Sequence, residues 1–203
     1  GYAVVAMLNG YLYVLACGGF QGGYDDTVLR GLAEIAKKYL VNHMIIEANF
    51  GDGMYTSLLT PWMNKIHPVT MEEVKHNIQK EKRLCDSLEP VFQGHRIVLD
   101  ISLIESDFKS ISSYPGETSY RYSLIHQLSR LTREKGALTH DDRLDALSMA
   151  VMFWTEQLAA DADEEQDSHK AEMLAKALET FMDQALGVQG RSQRDQRWCK
   201  EMR

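Results

Sequence analysis

Long hydrophobic runs are missing from this 203-residue chain. None approaches the roughly 18 apolar residues that a membrane-spanning helix needs, so no transmembrane segment is expected. No charged stretch leads into a short apolar core near the start, so no secretory signal is expected either. Cysteine is scarce. Cys17, Cys85 and Cys199 are odd in number and lack metal-ligand spacing. They read as reduced thiols of an intracellular protein, which sets aside thiol chemistry. No internal repeat is visible. An excess of positive charge is also missing: the formal net charge is −7, which on its face argues against a nucleic-acid partner.

The distribution of charge weakens that objection. Between Leu158 and Leu186 stand eight acids (Asp161, Asp163, Glu164, Glu165, Asp167, Glu172, Glu179, Asp183) and two bases, Lys170 and Lys176. The rest is close to balanced, and its bases cluster as Lys75, Lys80, Lys82 and Arg83, then as Arg121, Arg130, Arg133, Lys135 and Arg143. With 44% hydrophobic and 25% charged residues, the chain reads as globular, with one core of ordinary size and an appendage. Gly1-Tyr2 runs directly into Ala3–Leu8 without an initiator Met, as in an excised domain or part of a longer one.

Periodicity supplies the coarse order. Tyr2–Leu8 and Tyr11–Cys17 are β-rich runs joined by Asn9-Gly10, a strong hairpin signal because both central residues of a type I′ turn need positive φ. Asp25 or Asp26 caps a helix carrying Val28, Leu29, Leu32, Ile35, Ala36 and Tyr39. Val41–Ala48 reads as a buried strand ending at Glu47 before the Asn49–Gly53 break. A helix near Met54–Met63, a strand at Ile66–Thr70, a basic helix at Asn77–Val91 and a strand at Arg96–Leu99 follow. Ser110–Ser119 is loop-like, and Ser123–Glu134 is strand or helix, with helix favoured. Thr139 or His140 caps a helix from Asp141 to Leu158. Asp161–Asp167 reads as an acidic linker, Ser168–Leu186 as an amphipathic helix, and Gly187–Arg203 as a basic tail. A hairpin feeding an α/β alternation indicates a mixed sheet flanked by helices over residues 1–158, with a helical appendage over 159–203.

Two segments carry candidate chemistry. Glu47 ends an apolar strand before a glycine-rich break, where active sites of open α/β sheets form. A carboxylate at low dielectric there is naturally neutralised by a divalent cation; the bland alternative is a solvated strand end. His140-Asp141-Asp142-Arg143-Leu144-Asp145 places three acids at a helix start. Acids there complement the macrodipole and cap free N–H groups, but one would suffice. Asp142 and Asp145 share a face at i, i+3. Hard oxygen ligands without Cys or paired His suit Mg²⁺ or Mn²⁺. A strand-end and a helix-start carboxylate together describe half of a two-metal phosphodiesterase site, whose ions stand about 3.5–4 Å apart. Lys80, Lys82, Arg83 and Arg143 are candidate phosphate contacts, against the alternative of a solvated helix face. Asp52 is a candidate neighbour of the metals or an ordinary turn residue, and His140 a carboxylate-orienting or merely structural one.

Ile45-Ile46-Glu47-Ala48-Asn49-Phe50-Gly51-Asp52-Gly53 resembles the central acidic motif of large terminase nuclease domains from tailed phages. His140-Asp141-Asp142 with Asp145-Ala146-Leu147 resembles their C-terminal motif. Lys80–Arg83, Leu88-Glu89-Pro90 and Gly94-His95-Arg96 are similar to the family's basic helix and following strand. The resemblance covers residues 1–158 and is nearest the short-tailed podovirus type. It implies an RNase H-like (RuvC/integrase-type) fold and two divalent ions, Mg²⁺ or Mn²⁺, with Glu47 and Asp142 as catalytic ligands and Asp141 as a further one. The implied activity is endonucleolytic cutting of concatemeric double-stranded DNA during packaging. The implied partners are the portal protein of the procapsid, the small terminase subunit and an ATPase domain in the same full-length chain, and the implied location is the host cell cytoplasm. The family's third ligand is an Asp on the first sheet strand; no acid precedes Asp25 here, so Tyr2–Leu8 corresponds to the second strand. No Gly-x-x-x-x-Gly-Lys-Ser/Thr loop is present, so no ATPase is expected of these residues. Another RNase H-like nuclease, such as a resolvase, and a non-catalytic DNA or portal docking module are the alternatives.

Overall fold

Asn9 and Gly10, at φ 53° and 78°, turn β1 (Tyr2–Leu8) back onto β2 (Tyr11–Gly18), the double positive φ of a type I′ hairpin. The computed structural model describes residues 1–48, 53–114 and 116–185. The side chains of 160–166 and 183–185 are not described. The Asn49–Asp52 turn, Asp52 as a metal neighbour, the tail at 187–203 and Cys199 therefore lie outside the described residues.

The elements then run α1 (Asp26–Lys38), β3 (His43–Glu47), α2 (Met54–Ile66), β4 (Thr70–Val74), α3 (Lys80–Gln93), β5 (Ile97–Leu99), α4 (Ile101–Ser110), α5 (Leu124–Arg130) and α6 (Asp142–Ala185). Short 3₁₀ turns at Ile111–Ser113 and Ser119–Tyr122 link α4 to α5. β2 is central in one sheet, antiparallel to β1 and parallel to β5. β3 and β4 form a separate parallel pair. Each sheet has its own core. Leu12, Val14 and Cys17 of β2 meet Leu84 and Leu88 of α3, Leu103 of α4, Leu124 of α5, and Leu144 and Leu147 of α6. Behind β3 and β4, Leu29, Ala33 and Ala36 of α1 pack on Leu59 and Met63 of α2.

Among the described residues of the first unit, Gly1–Thr155, the two sheets do not join. β1 bonds along one edge to β2, and β3 along one edge to β4. A cavity of about 700 Å³ lies between them, walled by β1, β3, α1 and the start of α6. β3 is consequently half-buried along its whole length rather than fully buried, as its apolar sequence had implied.

Other expectations are corrected here. The strand placed at Ile66–Thr70 falls at Thr70–Val74, because Ile66 completes α2 and the strand carries Glu72 and Glu73 in place of an apolar run. Helix α4 was not expected; Asp100 caps it by accepting from the Ser102 amide at 3.2 Å. Asp141, rather than Thr139 or His140, supplies the first helical carbonyl of α6, accepting from the Asp145 amide at 2.8 Å. No acidic linker interrupts that helix, which continues to Ala185. Ala159, Ala160, Ala162, Glu164, Glu165 and Gln166 are strong helix formers without Gly or Pro, so the acidic run propagates the helix. The second unit, Glu156–Arg203, exposes Leu174, Leu178 and Phe181 along α6. No helix among the described residues is long and apolar enough to cross a membrane.

One buried ion pair fixes where α6 begins. The side chains of Arg143 and Asp107 are 2% and 1% exposed and pair through Arg143 Nη1 and Asp107 Oδ1. Arg143 Nη1 also donates to Ser110 Oγ at 2.8 Å. Asp107 accepts from Ser123 Oγ at 2.6 Å and from the Leu124 amide at 3.0 Å, holding the start of α5. The amide of Leu144, one of the unpaired donors at the start of α6, gives its hydrogen bond to Gln127 Oε1 at 3.0 Å. Asp107→Ala strands a buried guanidinium and should cost about 3–5 kcal/mol, read as a lowered urea midpoint. The double substitution Asp107→Leu with Arg143→Met should recover much of that loss, and a single-variant loss under about 1 kcal/mol would contradict the assignment.

Candidate functional site

Three elements bring charge to one end of the cavity. β3 ends at Glu47, α6 begins at Asp142, and the first turns of α3 supply Lys80 and Arg83. Glu47, Lys80, Asp142 and Asp145 all line the cavity. Lys80 Nζ bridges Asp141 Oδ1 at 2.9 Å and Asp145 Oδ2 at 3.0 Å. Arg83 Nη2 lies 2.7 Å from Asp145 Oδ1 and 3.6 Å from Glu47 Oε1. Asp142 is exposed, and its backbone abuts Gly1 so closely that a Cβ on Gly1 would fall 2.1 Å from the Asp142 carbonyl oxygen.

The expected site residues thus take different places. Glu47 and Asp142 face one cavity, and Asp141 pairs with Lys80, which lines the same cavity. Arg83 is 5% exposed and engaged with carboxylates, so it is not offered to a phosphate in the way the basic-helix reading supposed. Arg143 turns into the core to meet Asp107, and a guanidinium held there has no route to DNA. Lys82 is exposed on α3. His140 stacks on Tyr122 at 4.0 Å between ring centroids, and Tyr122 on Tyr114 at 4.3 Å, which holds the segment just before Asp141.

Two residues escaped sequence reasoning. Asp107 stands on the α4 face between Leu103 and Ile111, each four residues away, and an acid on an apolar stripe is a readable signal of a buried partner. Gln127 gives no such signal, because its amide reads like any surface polar group until α6 docks on it.

Electrostatics divide the two cations. Burial lowers the pKa of Lys80, but hydrogen bonds and charge from Asp141 and Asp145 outweigh it and hold the ammonium above its ordinary value. Arg83 Nε and Nη1 are buried without an acceptor among the described residues, an unmet demand for a partner at this corner. Cys17 is pushed up to about 12 by burial, which keeps its thiol protonated and inert. The donors here are carboxylate oxygens, the set that suits a hard divalent ion, and Lys80 and Arg83 stand in as cations among them. Among the described residues, no three ligating side chains form an ion-enclosing group by themselves.

A hairpin and parallel strands flanked by helices, with acids at a strand end and a helix start, make a mixed α/β domain. Residues 1–97 match the family model described as Terminase Bacteriophage T7, Ribonuclease H-like domain. The chain is 40% identical over 184 residues to "Terminase, large subunit" of Enterobacteria phage T3, a match covering 91% of this chain and 30% of that relative. Both comparisons make the chain similar to the RNase H-like region of large terminase subunits. The chain spans about a third or less of that relative's length.

The raised pKa of Lys80 sets a sign. A group raised on folding contributes stability in full below its unfolded pKa and loses it as pH climbs through the folded value. Lys80→Met should therefore lower Tm relative to wild type at neutral pH, with the gap narrowing only above the ordinary lysine value of 10.5. A gap that closes already near neutrality would contradict the bridge.

Proposed function

We propose that this chain is the DNA-cutting part of a packaging terminase, a divalent-metal-dependent endodeoxyribonuclease acting on concatemeric double-stranded DNA. The convergence of Glu47, Asp142 and Asp145 on one end of the cavity carries the reading. Glu47 and Asp142 would hold Mg²⁺ or Mn²⁺, with Asp141 supporting. Two such ions, when bound, supply Lewis acidity for in-line phosphodiester hydrolysis. The chain's own residues prepare the rest. Arg83 fixes the carboxylates of Asp145 and Glu47 from within, Lys80 puts positive charge at the cavity, and Lys82 offers an exposed charge elsewhere on α3, where phosphate attraction governs affinity. Arg143 acts at a distance, by locking the start of α6.

The third carboxylate belongs, in this reading, to a strand contributed by the full-length polypeptide. Support comes from the edges of β1 and β3, the cavity both line and the two unpartnered guanidinium nitrogens of Arg83. Unpaired strand edges facing a common slot accept an extended segment by backbone hydrogen bonding. The portal protein, the small terminase subunit and the ATPase domain of the same polypeptide are the partners this reading carries, in the host cell cytoplasm. The exposed Leu174, Leu178 and Phe181 face is its candidate protein contact.

In the full-length chain, Glu47→Ala should reduce Mn²⁺-dependent plasmid cutting on the order of 100-fold while DNA binding and Tm hold. Undiminished cutting would remove Glu47 from the site. Equal DNA binding with no cutting by wild type under any divalent ion would favour a docking module.

A further inference from the structure

We infer that Lys80 is a displaceable internal counter-ion that couples cation binding at the acidic corner to capture of a DNA phosphate. This rests on the metal-centre reading above and deepens it.

The placement of Lys80 is not explained by its own helix. It is the first residue of α3, where a positive charge opposes the helix macrodipole. What holds it there is the pair of carboxylates across the gap, Asp141 Oδ1 at 2.9 Å and Asp145 Oδ2 at 3.0 Å. Three residues on, Arg83 serves the same acidic corner in a different manner. Its side chain is 4% exposed and lies 2.7 Å from Asp145 Oδ1, so moving it would break a buried ion pair. The Lys80 side chain is 39% exposed, on a flexible four-carbon stem that reaches water without leaving its helix. The corner therefore has one fixed counter-ion and one that can leave.

Competition follows from the atoms involved. An ammonium on Asp141 Oδ1 and a divalent ion on the same oxygen exclude one another, so a cation held by Glu47 and Asp142 with Asp141 in support must displace Lys80. Once displaced, Nζ stands at the cavity that Lys80 lines, and a DNA phosphate is the anion able to take it. Each ligand then removes an obstacle for the other. Coupling of this kind is reciprocal: whatever factor phosphate adds to cation affinity, the cation adds to phosphate affinity. The free protein would hold its site self-neutralised and fill it when DNA arrives.

The test is Mn²⁺ binding by calorimetry on the full-length chain without DNA, for wild type, Lys80→Met and Lys80→Gln. Both variants should bind Mn²⁺ about fivefold or more tightly than wild type, the lower end of ordinary coupling. Lys80→Arg, which keeps the charge, should stay close to wild type. A short uncleaved duplex should tighten Mn²⁺ binding more in wild type than in Lys80→Met. Unchanged or weaker Mn²⁺ binding in both neutral variants, with Glu47→Ala still abolishing it, overturns the displacement and leaves the metal centre standing. Absence of any Glu47-dependent Mn²⁺ binding overturns both.

Discussion

The pairing of Arg143 with Asp107 is the constraint on which the acidic corner depends. Two fully buried charges carry a large desolvation cost and are tolerated when geometry and extra hydrogen bonds satisfy them. Here Ser110, Ser123 and the Leu124 amide supply those bonds, with only Arg143 Nη2 left without a partner among the described residues, so α4, α5 and α6 are fixed to one another at a single point. Arg143 follows Asp142 and precedes Asp145 by two residues. Locking its guanidinium inward leaves Asp142 facing out and Asp145 turned toward α3. A residue that reads in sequence as a phosphate contact is thus the anchor that aims its neighbours.

Charge compensation then proceeds outward by degrees of burial. Arg143 and Asp107 are sealed, Arg83 and Asp145 nearly so, and Lys80 with Asp141 stands at the edge of solvent. The gradient matters because pairs near the surface rearrange at small cost while buried ones do not. It places rigidity behind the carboxylates and adjustability in front of them, where a ligand would arrive. The cavity between β1 and β3 lies on that same open side, with both strand edges turned toward it.

Much of the architecture was legible because it rests on local rules. The Asn9-Gly10 turn, the amphipathic spacing of α1 and the long helix beginning near Asp141 follow from backbone conformation and burial of apolar faces. The RNase H-like α/β class and the terminase resemblance were read correctly from the Glu47 and Asp141–Asp145 motifs, as the family match and the T3 relative bear out. What sequence could not carry was pairing across distance. Lys80 and Asp145 are 65 positions apart, and Arg143 and Asp107 are 36, so nothing local separates a buried guanidinium from a solvated one. The missing break before Ser168 has another cause: charge density was read as a linker signal where alanine and glutamate favour helix.

The central claim is that Glu47 and the start of α6 form a metal centre currently neutralised by the chain's own cations. Anomalous scattering from a crystal of the full-length chain equilibrated with Mn²⁺ tests it directly. The account predicts an anomalous peak in direct coordination with the Glu47 and Asp142 carboxylates, with Lys80 Nζ withdrawn from Asp145. Carboxylates still paired to Lys80 and Arg83, with no peak between Glu47 and Asp142, would contradict it.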